Sequence, residues 1–133
     1  YWSGTGNTEA MAEAVADGIR EKGGEAVILT AGEFDRSMIE DYDSIAFGCP
    51  SMGDEELEES EFAPMFESCE PDLAGKKIAL FGSYGWGDGE WMRKWEKTCK
   101  KAGAVFACDF VICNDAPDDD AVEKCRGLGK ALV

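Results

Sequence analysis

Apolar residues recur along the chain at two kinds of spacing, which predict helices and buried strands in turn. Spacings of three and four residues predict helices over 8–22, 90–101 and 119–132, and a further helix beyond residue 60. Short, nearly continuous apolar runs predict buried strands at 25–30, 44–49, 77–81 and 104–112. Tyr1 and Trp2 are predicted to end a strand, and we expect that strand to begin a few residues before Tyr1.

Strands and helices alternate about five times, an order that is typical of α/β proteins. Strands with continuous apolar runs are those of a parallel sheet covered on both faces, and crossovers between parallel strands are right-handed. The pattern therefore predicts a doubly wound, five-stranded parallel sheet with helices on both faces. We interpret residues 1–133 as one domain, because this length is ordinary for a single hydrophobic core.

Loops rich in glycine and polar residues follow four of the predicted strands, at residues 3–8, 50–55, 82–89 and 114–117. In a doubly wound sheet, ligands bind beyond the carboxyl ends of the strands. We therefore expect these four loops to converge on one binding site.

The first of these loops, Ser3–Thr8, is suited to holding an anion. Its glycines allow close approach of backbone N–H groups, its side chains add further donors, and the following helix N-terminus is partly positive. The loop contains no Lys or Arg and fits neither GxxxxGK[ST] nor GxGxxG, which argues against a triphosphate or dinucleotide. A single phosphate suits it, but an ordinary turn with a helix cap uses the same residue types.

Trp86 lies between glycines in the 82–89 loop, outside any periodic apolar stripe. Its ring is either folded back on the core or exposed as a flat surface for a planar ligand. Trp91 and Trp95, by contrast, have helical spacing, which predicts core positions.

The 50–56 loop offers three features that suit a planar ring. Met52 is a soft apolar contact, the Gly53–Asp54 peptide can take two orientations, and Glu55 can accept a hydrogen bond from a ring N–H. A polar turn that caps the next helix is the alternative interpretation. Together the loops suit a mononucleotide with a flat ring.

The net charge and the cysteine content argue against several classes of function. The chain has 13 basic and 28 acidic residues, a net charge of −15 and a pI near 4.2, which disfavours nucleic acid and anionic membranes and favours basic partners. Six cysteines without CxxC spacing, and no His, give no recognisable zinc or iron–sulfur motif. With no signal peptide and no apolar run of about 20 residues, we expect a cytoplasmic protein with reduced thiols.

Three motifs, YWSGTGNT, CPSMGDEELEESEF and LFGSYGWGDGEWM, closely resemble those of the short-chain flavodoxins of anaerobic bacteria, in order and over nearly the whole chain. The resemblance implies a flavodoxin-like fold and non-covalently bound FMN. It also implies a low-potential one-electron carrier rather than an enzyme, which shuttles between quinone, neutral semiquinone and anionic hydroquinone.

The resemblance also implies which residues bind FMN. The phosphate would be held by Ser3, Thr5, Gly6, Asn7 and Thr8. The ring would be stacked between Met52 and Trp86, and its polar edge bound by Glu55 and the backbone of Gly53, Asp54 and Gly85. Asn114 would lie near the ribityl chain or ring edge, and the predicted set also includes Ser51, Ser83, Tyr84 and Gly87.

The expected partners are reductases and low-potential oxidoreductases with basic surfaces. We expect this protein to be a monomer that binds neither nucleic acid nor membrane. Two alternative functions would also use FMN: an FMN-dependent quinone or nitro reductase, and the flavodoxin domain of a larger flavoprotein. A non-redox receiver domain is a third. It needs acidic residues after the first strand and an Asp after the third, and the corresponding segments here, residues 3–8 and Cys49-Pro50, supply neither.

Overall fold

The computed structural model describes residues 1–133 and shows a parallel sheet between two pairs of helices. The helices are α1 (Asn7–Glu21), α2 (Phe62–Cys69), α3 (Glu90–Lys101) and α4 (Asp119–Ala131). The strands are β1 (Ser44–Gly48), β2 (Lys77–Tyr84), β3 (Val105–Phe106) and β4 (Val111–Asn114). Short 3₁₀ helices span Ala31–Glu33, Arg36–Asp41 and Glu70–Asp72. None of the helices has the length and apolarity that crossing a bilayer demands.

Strand β2 is the centre of the sheet, and all its neighbours run parallel to it. It pairs with β1 along one edge, from Ser44 opposite Lys77 to Gly48 opposite Phe81. Along the other edge it pairs first with β3 and then with β4. The strand predicted at 104–112 is therefore interrupted, because the chain between β3 and β4 leaves the ladder after Ala107 donates its N–H to the Ile78 carbonyl.

Alternate residues of β2 face two separate apolar cores, as expected for a strand covered on both faces. Ile78 and Leu80 lie in the core beneath α2 and α3, whereas Ala79 and Phe81 lie in the core beneath α1 and α4. The predicted core positions of Trp91 and Trp95 are confirmed: these side chains are 2% and 3% exposed. The doubly wound α/β architecture is thus confirmed.

The prediction of five strands is wrong by one, because four are formed. Glu25–Thr30 has no strand ladder. Its neighbour is Tyr1, whose α-amino group donates to the Leu29 carbonyl at 2.9 Å and whose own carbonyl accepts from Ala31 N. On the other side, Trp2 N donates to the Gly48 carbonyl at 3.0 Å. Tyr1 and Trp2 thus lie between the two segments, but two residues are too short to form a ladder with either.

Two glycines allow α1 and α4 to cross at very short range on one face of the sheet. A Cβ built on Gly18 would lie 2.0 Å from the Arg126 carbonyl oxygen, and one on Gly129 would lie 2.0 Å from the Val15 carbonyl oxygen. Each backbone fills the space that a side chain on the other would need. This crossing fixes α1, whose first turn carries the first polar loop.

Candidate functional site

The Ser3–Thr8 loop turns sharply into α1 and is held by one hydroxyl. Ser3 Oγ accepts hydrogen bonds from Gly6 N at 3.1 Å and from Glu9 N at 3.3 Å. Gly6 has φ +95°, a left-handed conformation that glycine adopts at little cost. The side chain of Ser3 therefore shapes the loop from within.

The backbone N–H groups of Gly4, Thr5, Asn7 and Thr8, which lead into α1, have no protein acceptor. A row of free amides beside a helix N-terminus is the geometry that binds anions. The loop has no basic side chain, so its donors are neutral.

Thr8 differs from the other predicted loop residues, because its side chain is 1% exposed. Its Oγ1 lies 3.1 Å from Ser83 Oγ and accepts from Ser83 N at 3.4 Å. The hydroxyls of Thr8 and Ser83 thus join the first loop to the end of β2, and the Thr8 N–H is the group left free.

Residues 52–56 form a tight turn at the end of β1. Met52 and Glu56 exchange two backbone hydrogen bonds of 2.8 Å, and Ser51 N donates to the Ser83 carbonyl at 2.9 Å. Inside the turn, neither the Gly53 carbonyl nor the Asp54 N–H has a hydrogen-bond partner. That peptide can rotate without breaking an internal hydrogen bond.

Glu55 connects this turn to the 82–89 loop. Its side chain is 8% exposed, and its Oε1 accepts from Glu90 N at the start of α3 at 3.1 Å. Gly87, at φ +86°, packs directly on this carboxylate, where a Cβ would lie 2.5 Å from Oε1. Both the conformation and the close approach require glycine at position 87.

Trp86 is 62% exposed in the 82–89 loop, so its ring is presented to solvent and not folded onto the core. The loop is held by Asn114, whose Nδ2 donates to the carbonyls of Tyr84 at 3.2 Å and Gly85 at 3.4 Å. Met52, in the neighbouring turn, is 39% exposed. The structure therefore brings the four loops to one edge and leaves two apolar side chains exposed there.

The net charge of the protein is concentrated at this edge. Residues 3–10, 50–61, 84–91 and 114–121 carry 13 acidic side chains and no Lys or Arg, whereas the rest of the chain carries 15 acidic and 13 basic residues. The loops thus account for nearly all of the net charge of −15. Their field repels anions at long range and attracts basic surfaces.

Glu58 is an acidic residue of these loops with a structural role that was not predicted from the sequence. Its side chain is 5% exposed and accepts from Ser60 N and Oγ, Glu61 N and Phe62 N, at the start of α2. Burial alone would raise the pKa of this carboxyl, but the hydrogen bonds outweigh it and lower the pKa to about 2.

Comparison with known proteins identifies the family. The flavodoxin family model matches residues 1–129. A flavodoxin of Clostridium beijerinckii is 45% identical over all of this chain and 96% of its own length, and one of Megasphaera elsdenii is 42% identical over all of this chain and 95% of its own. The chain belongs to the flavodoxin family. The solution structure of the two-electron reduced Megasphaera flavodoxin superposes with a TM-score of 0.92 over 99% of this chain and 94% of that one.

Two contacts between the loops of the site could not be predicted from the sequence. The Thr8–Ser83 pair joins residues 75 positions apart, and the Glu55–Gly87 contact joins two loops from different strands. Glu58 left a weak signal, since an acidic residue shortly before an apolar helical pattern is typical of a helix start. Asn114 was predicted near the ribityl chain or ring edge, and its amide also holds the 82–89 loop through the Tyr84 and Gly85 carbonyls.

Proposed function

We propose that this flavodoxin-family protein binds FMN non-covalently at the four-loop edge and carries single electrons at low potential. The observation that carries the proposal is the row of unpartnered N–H groups at Gly4, Thr5, Asn7 and Thr8. Bound FMN supplies the redox chemistry, and the protein binds it, orients it and tunes its potential.

The first loop fits one phosphate group. The free amides of Gly4, Thr5, Asn7 and Thr8 supply donors, and the α1 N-terminus supplies partial positive charge. With no nearby cation to neutralise it, the phosphate would be held by hydrogen bonds to neutral groups, which are strengthened by its charge. Ser3 shapes this nest through its two internal hydrogen bonds.

The two apolar side chains exposed at the same edge fit the flat ring. Trp86 offers an aromatic surface on a loop braced by Asn114, and Met52 offers a polarisable thioether on the facing turn. Stacking on these side chains excludes water and disfavours added negative charge on the ring, which lowers the reduction potential. The surrounding loop carboxylates act in the same direction.

The Gly53–Asp54 peptide would form a hydrogen bond with the ring edge that depends on whether the ring is protonated. Neither its carbonyl nor its N–H is bonded within the protein, and Gly53 has φ +54°, where rotation is least hindered for glycine. The Gly53 carbonyl is free to accept a hydrogen bond from a ring N–H that forms on reduction, and the Glu55 carboxylate is a further acceptor close by. These contacts would stabilise the one-electron-reduced state.

Close relatives of this chain are electron-transfer proteins, so an FMN-dependent reductase is not favoured. The acidic loops are suited to docking on basic surfaces of reductases and low-potential oxidoreductases, with the protein acting as a monomer. A cytoplasmic location is part of the proposal and is supported by six free thiols. One sheet with its own helices on both faces supports a single FMN-binding domain.

The test compares FMN with riboflavin, which lacks the phosphate. FMN should bind the apoprotein at least about 100-fold more tightly, because two charge-assisted hydrogen bonds suffice for that ratio. Flavin fluorescence quenching measures both affinities. Equal affinity for the two flavins would contradict a phosphate site in the first loop.

A matched pair of variants tests whether the difference in affinity between FMN and riboflavin arises in the Ser3–Thr8 loop. Ser3→Ala should weaken FMN binding and leave riboflavin binding nearly unchanged, because it removes the hydroxyl that shapes the phosphate loop. Ser44→Ala is the control, since Ser44 Oγ bonds to the Leu132 carbonyl, away from the four loops. Equal losses in both variants would point to a general loss of stability instead.

A further inference from the structure

The 82–89 loop, which carries the exposed Trp86, is held on both sides of that residue by side chains from elsewhere in the chain. Before Trp86, the amide of Asn114 binds two carbonyls of the loop. After Trp86, the Arg93 guanidinium binds Asp88: Nη1 donates to the Asp88 carbonyl at 3.0 Å, and Nη2 donates to Asp88 Oδ1 at 2.9 Å. Trp86 therefore lies between two points of attachment.

The loop needs such attachments because its own sequence is flexible. Four of the eight residues 82–89 are glycine, and Gly87 and Gly89 have φ of +86° and +93°. Glycine loses more conformational freedom than any other residue when a chain is ordered. Contacts from outside the loop therefore decide how firmly Trp86 is held in one position.

Neither helix stability nor burial explains an arginine at position 93. Arg93 is the fourth residue of α3, where the partial positive charge of the helix N-terminus opposes a cation. The side chains of Arg93 and Asp88 are 51% and 79% exposed, and ion pairs with this exposure contribute little to stability. The pair does constrain the loop, because two N–H groups of one rigid guanidinium bind both the main chain and the side chain of Asp88.

We propose that Arg93 is a positioning residue for the flavin ring, which holds residues 86–88 so that the Trp86 ring is in place before the flavin stacks on it. The inference rests on the proposed function, because Trp86 is a wall of the same site. A wall that is already ordered avoids the entropy lost when a mobile loop is fixed on binding, a cost of about twofold to tenfold in affinity for each immobilised side chain. Because Arg93 acts on the ring wall and not on the Ser3–Thr8 loop, its effect should be the same for FMN and riboflavin.

The first experiment measures both flavin affinities in two matched variants of the full chain. Arg93→Met keeps the aliphatic stem and removes the bonds to Asp88, and it should lower the affinities for FMN and riboflavin about fivefold each. Arg36→Met removes the same charge and a similarly exposed bond to Asp72, of 3.0 Å, and should change neither affinity. Losses in Arg93→Met no larger than those in Arg36→Met, or a loss for FMN alone, would overturn the positioning role.

A double-mutant cycle tests whether Arg93 acts through Trp86. Trp86→Ala removes the ring, so adding Arg93→Met to that variant should lower the riboflavin affinity further by less than about twofold. A further fivefold loss in the absence of the Trp86 ring would overturn the proposal, because Arg93 would then act on some other part of the site.

A measurement without flavin separates this inference from the proposed function. Backbone ¹⁵N order parameters of residues 86–88 in the flavin-free chain should fall below about 0.6 in Arg93→Met and stay at the parent values in Arg36→Met. Unchanged order parameters in a chain that binds FMN would overturn the role of Arg93 alone. A parent chain that binds neither flavin would contradict the proposed function itself.

Discussion

At the scale of single residues, Glu58 shows how one carboxylate organises a loop of the site. It accepts four hydrogen bonds from Ser60, Glu61 and Phe62, which hold the start of α2 and the end of the 50–61 loop. The same bonds lower the pKa of the Glu58 carboxyl to about 2. Its ionised form is therefore part of the folded structure at neutral pH.

We predict that Glu58→Gln lowers the free energy of unfolding by about 1–2 kcal/mol at pH 7, because hydrogen bonds to a charged carboxylate are replaced by weaker ones to a neutral amide oxygen. Because the pKa of Glu58 is lower in the folded than in the unfolded state, its ionised carboxylate stabilises the fold fully above the unfolded-state pKa of about 4.5. This stabilisation is lost as the pH falls from about 4.5 towards about 2. The gap between parent and variant should therefore narrow in that range. Urea unfolding at pH 7, 4 and 3 measures it.

Glu59→Gln is the matched control, since it removes the same charge from an exposed neighbour with no hydrogen bond or ion pair. Its free energy of unfolding should stay within about 0.5 kcal/mol of the parent. If Glu58→Gln lowers the free energy of unfolding no more than Glu59→Gln does, or by the same amount at every pH, the hydrogen bonds of Glu58 do not have the stabilising role assigned to them.

At the scale of secondary-structure elements, the crossing of α1 and α4 fixes the helix whose first turn carries the Ser3–Thr8 loop. Gly129→Ala places a methyl group 2.0 Å from the Val15 carbonyl oxygen, and backbone on both sides prevents an easy adjustment. We predict a loss of about 3 kcal/mol in the free energy of unfolding. Thermal or denaturant unfolding of the apoprotein measures this.

Gly127→Ala, two residues earlier in the same helix, is expected to raise the free energy of unfolding instead of lowering it. A Cβ at Gly127 meets nothing within 4 Å, so alanine should stabilise α4 by about 0.5–1 kcal/mol through helix propensity. The same sign of change in both variants would contradict the close crossing of the two helices.

The helices were predictable because their periodic apolar faces are local signals, and α3 has the predicted bounds, Glu90–Lys101. Strand pairing depends on distant neighbours. The run at 25–30 has strand composition, yet it forms no ladder because Tyr1 and Trp2 provide too short a partner. The strand predicted at 104–112 is split for a related reason, since only its two ends pair with β2.

The candidate site was predictable to a similar extent. The positions of the loops after the strands follow from composition and fold class, whereas the exposure of Trp86 was one of two open alternatives and is decided by the structure. Contacts between loops do not, because the Thr8–Ser83 and Glu55–Gly87 pairs exist only once the fold brings distant segments together. The hydrogen bonds of Asn114 to the Tyr84 and Gly85 carbonyls were likewise not predictable from the sequence.

At the scale of the whole molecule, the concentration of carboxylates on the four loops predicts how partners approach. Electron transfer to a basic haem protein should slow about tenfold between low and physiological salt, because salt screens the steering field. The double variant Glu56→Gln/Glu59→Gln should slow it at low salt. Glu13→Gln/Glu40→Gln, which removes two exposed charges outside the loops, should not. Equal effects of both pairs would contradict docking at the loop edge.

The most direct test of the central claim is a stepwise dithionite titration of the FMN-loaded protein, followed in the visible spectrum. We expect one FMN per chain and two separate one-electron steps, with a distinct one-electron-reduced form between them, because the unpartnered Gly53 carbonyl would accept a hydrogen bond from the reduced ring and the acidic loops would oppose the second electron. Simultaneous uptake of both electrons, or failure to bind FMN at all, would contradict the assignment as a one-electron carrier.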